Sequence, residues 1–213
     1  MSRIAGIERK TKETEIFIKL NIDGRGEAQL DYPVGFMSHM LNTFARHGLY
    51  DIEIHAKGDL EVDQHHLVED TGIVLGQCFA KAIGDKRGIR RNGSCLFPMD
   101  ECLARAAIDM SGRPFLYFDG QLSGSPLIST TENEQKFQTD VIEDFWHGFV
   151  NAAGCNLHLE ILRGRSDHHK IESMFKAAAR SLRRACEYDD RARDTIPSTK
   201  GILPGFDTPG VLV

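Results

Sequence analysis

The sequence predicts an α+β fold built by internal duplication, an α/β sandwich of two similar β-rich units with their helices in one layer. Three observations support this prediction. A His-His-x-x-Glu motif occurs twice, an alternating strand pattern precedes each copy, and apolar residues at helical spacing follow each copy. The motifs are HHLVE at residues 65–69 and HHKIE at residues 168–172, and they start 103 positions apart. Duplicated units of this type usually pack helices against mostly antiparallel sheets.

The first predicted element of each unit is an alternating strand that breaks at a glycine turn. ETEIFIKLNIDGRGE (13–27) alternates as far as Asp23, and DECLARAAIDMSGRPFLYF (100–118) alternates as far as Asp109. Matching these two aspartates gives an offset of 86 positions, 17 fewer than the offset between the His pairs. The second unit should therefore hold about 17 extra residues, and the polar segment 122–136 is the expected loop.

A second strand, a helix, a third strand and another helix complete each unit. The strand patterns YDIEIHA (50–56) and NLHLEIL (156–162) each follow a predicted helix that ends at a glycine, Gly48 or Gly154. A glycine turn then leads to each His pair, which is predicted to lie in the first turn of the last helix. The predicted limits within one compact unit are residues 8–92 and 95–188 for the two repeats and 189–213 for a nonhelical tail that carries PSTKG.

Composition argues against several classes of function. The chain has 213 residues and a formal net charge of −5, which does not favour a nucleic-acid-binding surface. No apolar run approaches the length of a membrane helix, and the N-terminal segment lacks the pattern of a secretory signal. The five cysteines are odd in number and form no CxxC motif, which favours reduced thiols. We therefore expect a cytoplasmic protein without a membrane or nucleic-acid partner.

The two histidine pairs are the strongest candidates for a metal site. On a helix, His65 and Glu69 share a face, whereas adjacent histidines point about 100° apart. Each pair can therefore serve two metal centres, or one metal and one substrate. A single copy would be interpreted as an exposed helix start, but two copies at equivalent positions favour metal binding. Imidazole and carboxylate ligands without thiolate suit Mn²⁺, Fe²⁺ or Zn²⁺.

A third histidine position is less distinctive. His39 lies in an apolar helical segment, where a histidine is more often part of the core. Local alignment of FMSHML with VIEDFW matches His39 with Asp144 in the second unit. A histidine in one copy and a carboxylate in the other is compatible with a pair of ligand positions.

Five segments together resemble the imidazoleglycerol-phosphate dehydratase family: FMSHMLNTFARHGLYD, GDLEVDQHHLVEDTGIVLG, PMDECLARAAIDMSGRPF, DHHKIESMFKAAARSL and PSTKG. The resemblance runs from about Arg9 to Gly201. It implies a hydro-lyase, a carbon–oxygen lyase that converts D-erythro-imidazoleglycerol phosphate to imidazoleacetol phosphate in histidine biosynthesis. It also implies a dimanganese site in each subunit, shared across subunit contacts, and a homo-oligomer of trimers closed into a shell of about 24 subunits.

The family pattern also implies site residues. An eighth metal-ligand position, usually histidine, falls on Asp144, so direct ligation, ligation through water and no ligation all stay open. Glu143 could serve instead if the alignment slips by one residue. The other implied metal ligands are His39, His65, His66, Glu69, His168, His169 and Glu172. The implied substrate contacts are Glu13, Arg91, Arg113, Lys176, Ser198 and Lys200.

The implied reaction removes a C–H proton beside an imidazole ring and expels the hydroxyl group on the next carbon. Lewis acids at the ring nitrogens favour the imidazolate, which can expel the hydroxyl through a diazafulvene-like intermediate. Glu172 and Glu13 are the candidates for removing the C–H proton and protonating the hydroxyl, and their order stays open. The phosphate is expected to accept charge-assisted hydrogen bonds from a clamp of cations and one hydroxyl, namely Arg91, Arg113, Lys200 and Ser198.

Two other functions are compatible with the motifs. A dimetal phosphoester hydrolase would use the same ligands to activate water, and release of inorganic phosphate would distinguish it. A non-enzymatic metal-storage shell would need no cationic clamp, so the SGRP and PSTKG segments count against it.

Overall fold

Two four-stranded sheets with matching strand order form the frame of the fold. The computed structural model describes residues 3–125, 127 and 136–204. The first unit contains β1 (Ile4–Lys10), β2 (Thr14–Asn21), β3 (Ala28–Asp31), α1 (Gly35–Gly48), β4 (Asp51–Gly58) and α2 (His65–Ile83). The second contains β5 (Asn92–Met99), β6 (Cys102–Asp109), β7 (Phe115–Asp119), α3 (Val141–Ala153), β8 (Asn156–Arg163) and α4 (Asp167–Cys186). The orders β1-β2-β4-β3 and β5-β6-β8-β7 confirm the duplicated α+β fold.

Each sheet is mostly antiparallel and has one parallel pair. β3 runs parallel to β4 and β7 runs parallel to β8, because a helix connects the strands of each pair. β1 and β5 are edge strands that were not predicted separately, since their burial is only partial and their pairing with β2 and β6 comes from tertiary context. The limits 8–92 and 95–188 stay predictions. Of the predicted loop 122–136, residues 126 and 128–135 lie outside the described residues.

The strand register corrects the alignment of the two units. Leu20 pairs with Ile52 in the first sheet, and Ile108 pairs with Leu157 in the second. Asp109, the last residue of β6, therefore corresponds to Asn21, the last residue of β2. The match of Asp23 with Asp109 was wrong by two residues. In each unit an aspartate is followed within a few residues by a glycine and an arginine, but the two aspartates are not at equivalent positions.

The helices pack against the sheets and against each other across the two units. α2 lies on β1 and β2, α4 lies on β5 and β6, α1 packs on α4, and α3 packs on α2. The Phe44 and Trp146 rings, from α1 and α3, are 6.3 Å apart, and the Phe79 and Phe149 rings are 5.6 Å apart. All four side chains are buried in one continuous core. None of the described helices is long and apolar enough to cross a membrane.

The crossing of α2 and α3 depends on the absence of a side chain. A Cβ atom on Gly72 would lie 2.1 Å from the Phe145 carbonyl oxygen, which is far inside van der Waals contact. Glycine at this position lets the N-terminal halves of α2 and α3 approach closely. His65, at the start of α2, is thereby brought beside Asp144, at the start of α3.

The described part of the segment after α4, residues 187–204, contains no helix and is fixed by hydrogen bonds to the connection between α2 and β5. Gly88 donates its backbone N–H to the Thr195 carbonyl at 2.9 Å. The buried Lys86 Nζ donates to the Pro204 carbonyl at 2.7 Å. These contacts hold PSTKG against the second unit.

Candidate metal centres and substrate site

The first candidate metal centre joins residues from both units. His39 on α1 and His168 on α4 place Nε2 atoms 3.4 and 3.2 Å from the same Glu172 carboxylate oxygen. The three groups offer ligand atoms that all lie within 4.8 Å of one another. The His39 side chain is 47% exposed, so its interpretation as a core histidine is wrong. His168 and Glu172 come together because residues four apart share a helix face.

Glu172 is held as an anion by a neighbouring cation. Its side chain is only 10% exposed, and Lys176 Nζ lies 2.7 Å from Oε1. Burial acts to raise the pKa of Glu172, but the Lys176 hydrogen bond and charge, with His39, outweigh burial and leave the pKa below its ordinary value. The carboxylate is therefore charged at neutral pH, as metal ligation and proton abstraction both require.

The second candidate centre also joins residues from both units, but its ligand atoms are arranged differently. His65 on α2 lies 3.5 Å from Glu69 through Nε2, and 3.6 Å from Asp144 on α3 through Nδ1. Asp144 stands ten residues before the left-handed C-cap Gly154, as His39 stands ten before the left-handed C-cap Leu49. Because the two carboxylates contact opposite ring nitrogens, they do not converge on one point. The neighbouring Glu143 lies 3.9 Å from His147 instead.

The two histidines of each pair differ in ring orientation and contact different carboxylates. The rings of His65 and His66 are 6.0 Å apart with an angle of 87° between their planes. Those of His168 and His169 are 5.9 Å apart at 89°.

Two carboxylates beside these second histidines were missed in the sequence. Asp59 Oδ2 lies 3.0 Å from His66 Nδ1, and Glu101 Oε2 lies 2.9 Å from His169 Nδ1. Glu101, Cys102 and His169 form a further group with ligand atoms within 4.8 Å of one another. The signal for Asp59 was its place directly after the Gly58 turn. Glu101 gave no local signal, since it is 68 residues from His169.

The predicted phosphate contacts line one cavity. Arg91, Arg113, Ser198 and Lys200 surround a space of about 500 Å³. Arg91 also donates to both Asp109 carboxylate oxygens, at 2.7 and 2.9 Å, and to the Pro197 carbonyl at 2.9 Å. Arg91 therefore also holds the tail that carries Ser198 and Lys200.

The remaining predicted substrate contacts lie elsewhere in the chain. Lys176 belongs to the Glu172 centre, and Glu13 Oε2 is 4.0 Å from His66 Nδ1. Among the described residues, the lining of the phosphate cavity includes none of the candidate metal ligands. Within this chain, the candidate metal ligands and the predicted phosphate contacts therefore lie in separate places.

Comparisons with known proteins identify the family. The family model for imidazoleglycerol-phosphate dehydratase matches residues 33–182. The imidazoleglycerol-phosphate dehydratase of Psychrobacter sp. is 50% identical over 95% of this chain and 94% of its own length. That of Paraburkholderia xenovorans is 51% identical over 94% of this chain and 100% of its own length.

Solved structures give the same result. The crystal structure of imidazoleglycerol-phosphate dehydratase from Staphylococcus aureus has a TM-score of 0.72 and 34% identity, covering 87% of this chain and 99% of its own. The Pyrococcus furiosus structure, in complex with (S)-C348, has a TM-score of 0.74 and 28% identity, covering 92% of this chain and 100% of its own. The chain therefore belongs to the imidazoleglycerol-phosphate dehydratase family, which makes it a hydro-lyase of histidine biosynthesis.

Proposed function

We propose that the chain converts D-erythro-imidazoleglycerol phosphate to imidazoleacetol phosphate with two bound manganese ions per subunit. The observation that carries this proposal is the pair of composite centres, in which a helix of one unit faces the His-His-x-x-Glu helix of the other. His39 faces His168 and Glu172, and Asp144 faces His65, whose other ring nitrogen contacts Glu69. The proposed ligands are His39, His65, His66, Glu69, Asp144, His168, His169 and Glu172.

The donor set fits manganese. All eight groups are imidazoles or carboxylates, and a set without thiolate suits a hard, high-coordinate divalent ion. Glu172 is anionic at neutral pH because of Lys176. Asp144 is proposed in preference to Glu143, because its carboxylate contacts His65 whereas Glu143 contacts His147.

The reaction needs proton transfer as well as metal ions. Bound manganese would supply Lewis acidity that favours deprotonation of the substrate imidazole ring. Glu172, a buried carboxylate with a lowered pKa, and Glu13, an exposed carboxylate near His66, would divide the transfer of the C–H proton and of the proton to the departing hydroxyl. Their order stays open. Lys176 would keep Glu172 ionised between turnovers.

The phosphate would bind in the cavity described above, where it would accept hydrogen bonds from Arg91, Arg113, Ser198 and Lys200. Since this cavity shares no lining residue with the metal candidates among the described residues, a complete site would combine the metal centres of one subunit with the clamp of a neighbour. A homo-oligomer of trimers, about 24 subunits in all, would supply such contacts. The expected setting is the cytoplasm.

The test is the product formed by metal-stripped protein after addition of manganese. We expect imidazoleacetol phosphate without inorganic phosphate, and no turnover before metal is added. Glu172→Gln should reduce kcat by about 10²–10⁴, the usual contribution of a general acid or base. Stoichiometric inorganic phosphate would indicate a hydrolase, and full turnover of the metal-free protein would contradict the proposal.

A further inference from the structure

The second histidine of each pair has one ring nitrogen held by a carboxylate from outside its own helix. His66 Nδ1 lies 3.0 Å from Asp59 Oδ2, and His169 Nδ1 lies 2.9 Å from Glu101 Oε2. Glu101 also accepts the Ser166 backbone N–H at 3.0 Å, so it is fixed to the N-cap of α4. In both places the acceptor contacts Nδ1, which leaves Nε2 available.

The two acceptors come from different positions of the repeat. Glu101 directly precedes β6, and its counterpart in the first unit is Glu13, which directly precedes β2. Glu13 does not hold its histidine closely, since Glu13 Oε2 is 4.0 Å from His66 Nδ1.

The second unit has no carboxylate at the position that corresponds to Asp59. It follows Gly58 in the sequence KGD, and the matching sequence in the second unit is RGR, with Arg165 after Gly164. An arginine side chain cannot accept a hydrogen bond. The first unit therefore has two carboxylates at this point, and the second unit has one.

The two carboxylates of the first unit are connected through their backbones. Asp59 donates its N–H to the Glu13 carbonyl at 3.0 Å. This bond places both side chains beside His66, with Asp59 the closer. The Asp59 side chain is 18% exposed and Glu13 is 55% exposed, so the nearer acceptor is the better fixed of the two.

A carboxylate on Nδ1 fixes the ring of a histidine ligand. It holds the proton on Nδ1, directs the Nε2 lone pair towards the metal and increases its basicity.

We propose that Asp59 and Glu101 are positioning residues that orient His66 and His169. Because Asp59 accepts the hydrogen bond from His66, Glu13 is not needed as the acceptor and can transfer protons. The inference rests on the proposed function, since it takes His66 and His169 to be metal ligands. The two units thus reach the same histidine orientation with carboxylates from different places.

Manganese affinity of the metal-stripped protein, measured by calorimetry, tests the positioning role. Asp59→Ala and Glu101→Ala should each weaken manganese binding about 10–100-fold. Asp59→Asn and Glu101→Gln, which keep an acceptor oxygen, should recover most of the loss. The melting temperature of every metal-free variant should stay within about 3 °C of the parent chain, the shift expected from roughly 1 kcal/mol. Glu53→Ala is the matched control, because Glu53 contacts His55, 3.3 Å away, outside both centres.

Unchanged manganese affinity in both alanine variants would overturn the inference, and so would a loss that the Asn and Gln variants do not recover. If the parent chain itself binds no manganese, the proposed function fails first. If it binds two ions and the alanine variants bind them equally well, only the positioning role fails.

A second experiment tests whether Asp59 takes the place of Glu13 as the acceptor for His66. In the parent chain, Glu13→Gln should lower kcat and leave manganese affinity unchanged. Without Asp59, Glu13 becomes the nearest acceptor for His66, so Asp59→Ala/Glu13→Ala, which removes both acceptors, should bind manganese more weakly than Asp59→Ala. Equal affinities of these two variants would show that Glu13 cannot take over the role and would overturn this part of the inference.

Discussion

His39 Nε2 lies 3.4 Å from Glu172 Oε2, although 133 residues separate them in the sequence. The contact crosses from α1 of the first unit to α4 of the second. The equivalent contact of Asp144 with His65 crosses from the second unit to the first. Neither unit alone therefore contains a complete centre, and the packing of the helices decides which ligands meet.

Replacing Lys176 should change how stability depends on pH. Its ion pair lowers the pKa of Glu172, so the pair stabilises the fold above the ordinary pKa of about 4.5, and this contribution is lost as pH falls through the lowered value. Lys176→Met should cost roughly 2 kcal/mol at pH 7 in metal-free protein, and the difference should shrink below about pH 4.5.

Denaturant unfolding at several pH values measures this difference. Lys10→Met is the control, because the pair of Lys10 with Glu15, 2.6 Å apart, is exposed to solvent and should contribute little to stability. A constant difference between Lys176→Met and the parent chain down to pH 3 would show that Glu172 is not the group involved.

The eighth ligand position is tested by two adjacent alanine variants. Asp144→Ala should weaken one manganese site and spare the other, because Asp144 contacts His65. Glu143→Ala should bind as the parent chain does, because Glu143 contacts His147. Parallel manganese titrations decide the matter, and full two-site binding in both variants would remove this segment from the metal centres.

Arg113 should act on the substrate and not on the metals. Loss of one charge-assisted hydrogen bond to phosphate costs about 1.5–3 kcal/mol, so Arg113→Met should raise KM about 10–100-fold. Manganese binding should not change, because the cavity that Arg113 lines contains no candidate ligand among the described residues. Steady-state kinetics with Arg163→Met, an exposed arginine outside this cavity, provide the control. An unchanged KM would contradict the proposed clamp.

Metal removal should change the mass of the assembly. If each site is completed by a neighbouring subunit, manganese binds only the assembled form and stabilises it. Chelator should shift the particle from about 24 subunits towards trimers or smaller species, and added manganese should restore it. Light scattering measures the mass, and an unchanged mass after complete metal removal would rule out this coupling.

The sequence predicted the duplicated fold because its signals are local and occur twice. The alternation of β2 and β6 and the helices that start at the His pairs were visible as periodicity. The His-His divergence also follows from helix geometry alone. These features depend on neighbouring residues, so they could be read before the fold was known.

Other parts of the site depend on tertiary contacts. Glu101 meets His169 only because the β5–β6 turn lies beside the start of α4, and no local pattern indicates this. The counterpart of Glu13 could not be found from the Asp-Gly turns, which placed the repeat two residues out of register. Edge strand β1 was missed because its pairing comes from β2 and its own pattern is weak.

We propose that the two members of each His-His pair serve different manganese centres. The most direct measurement is a manganese titration of metal-stripped His65→Ala and His66→Ala, with the number of bound ions and both affinities determined for each. We expect His65→Ala to lose affinity at one site and His66→Ala mainly at the other, because the two rings stand at 87° and contact different carboxylates. Two ions bound with unchanged affinity in each variant would contradict the assignment.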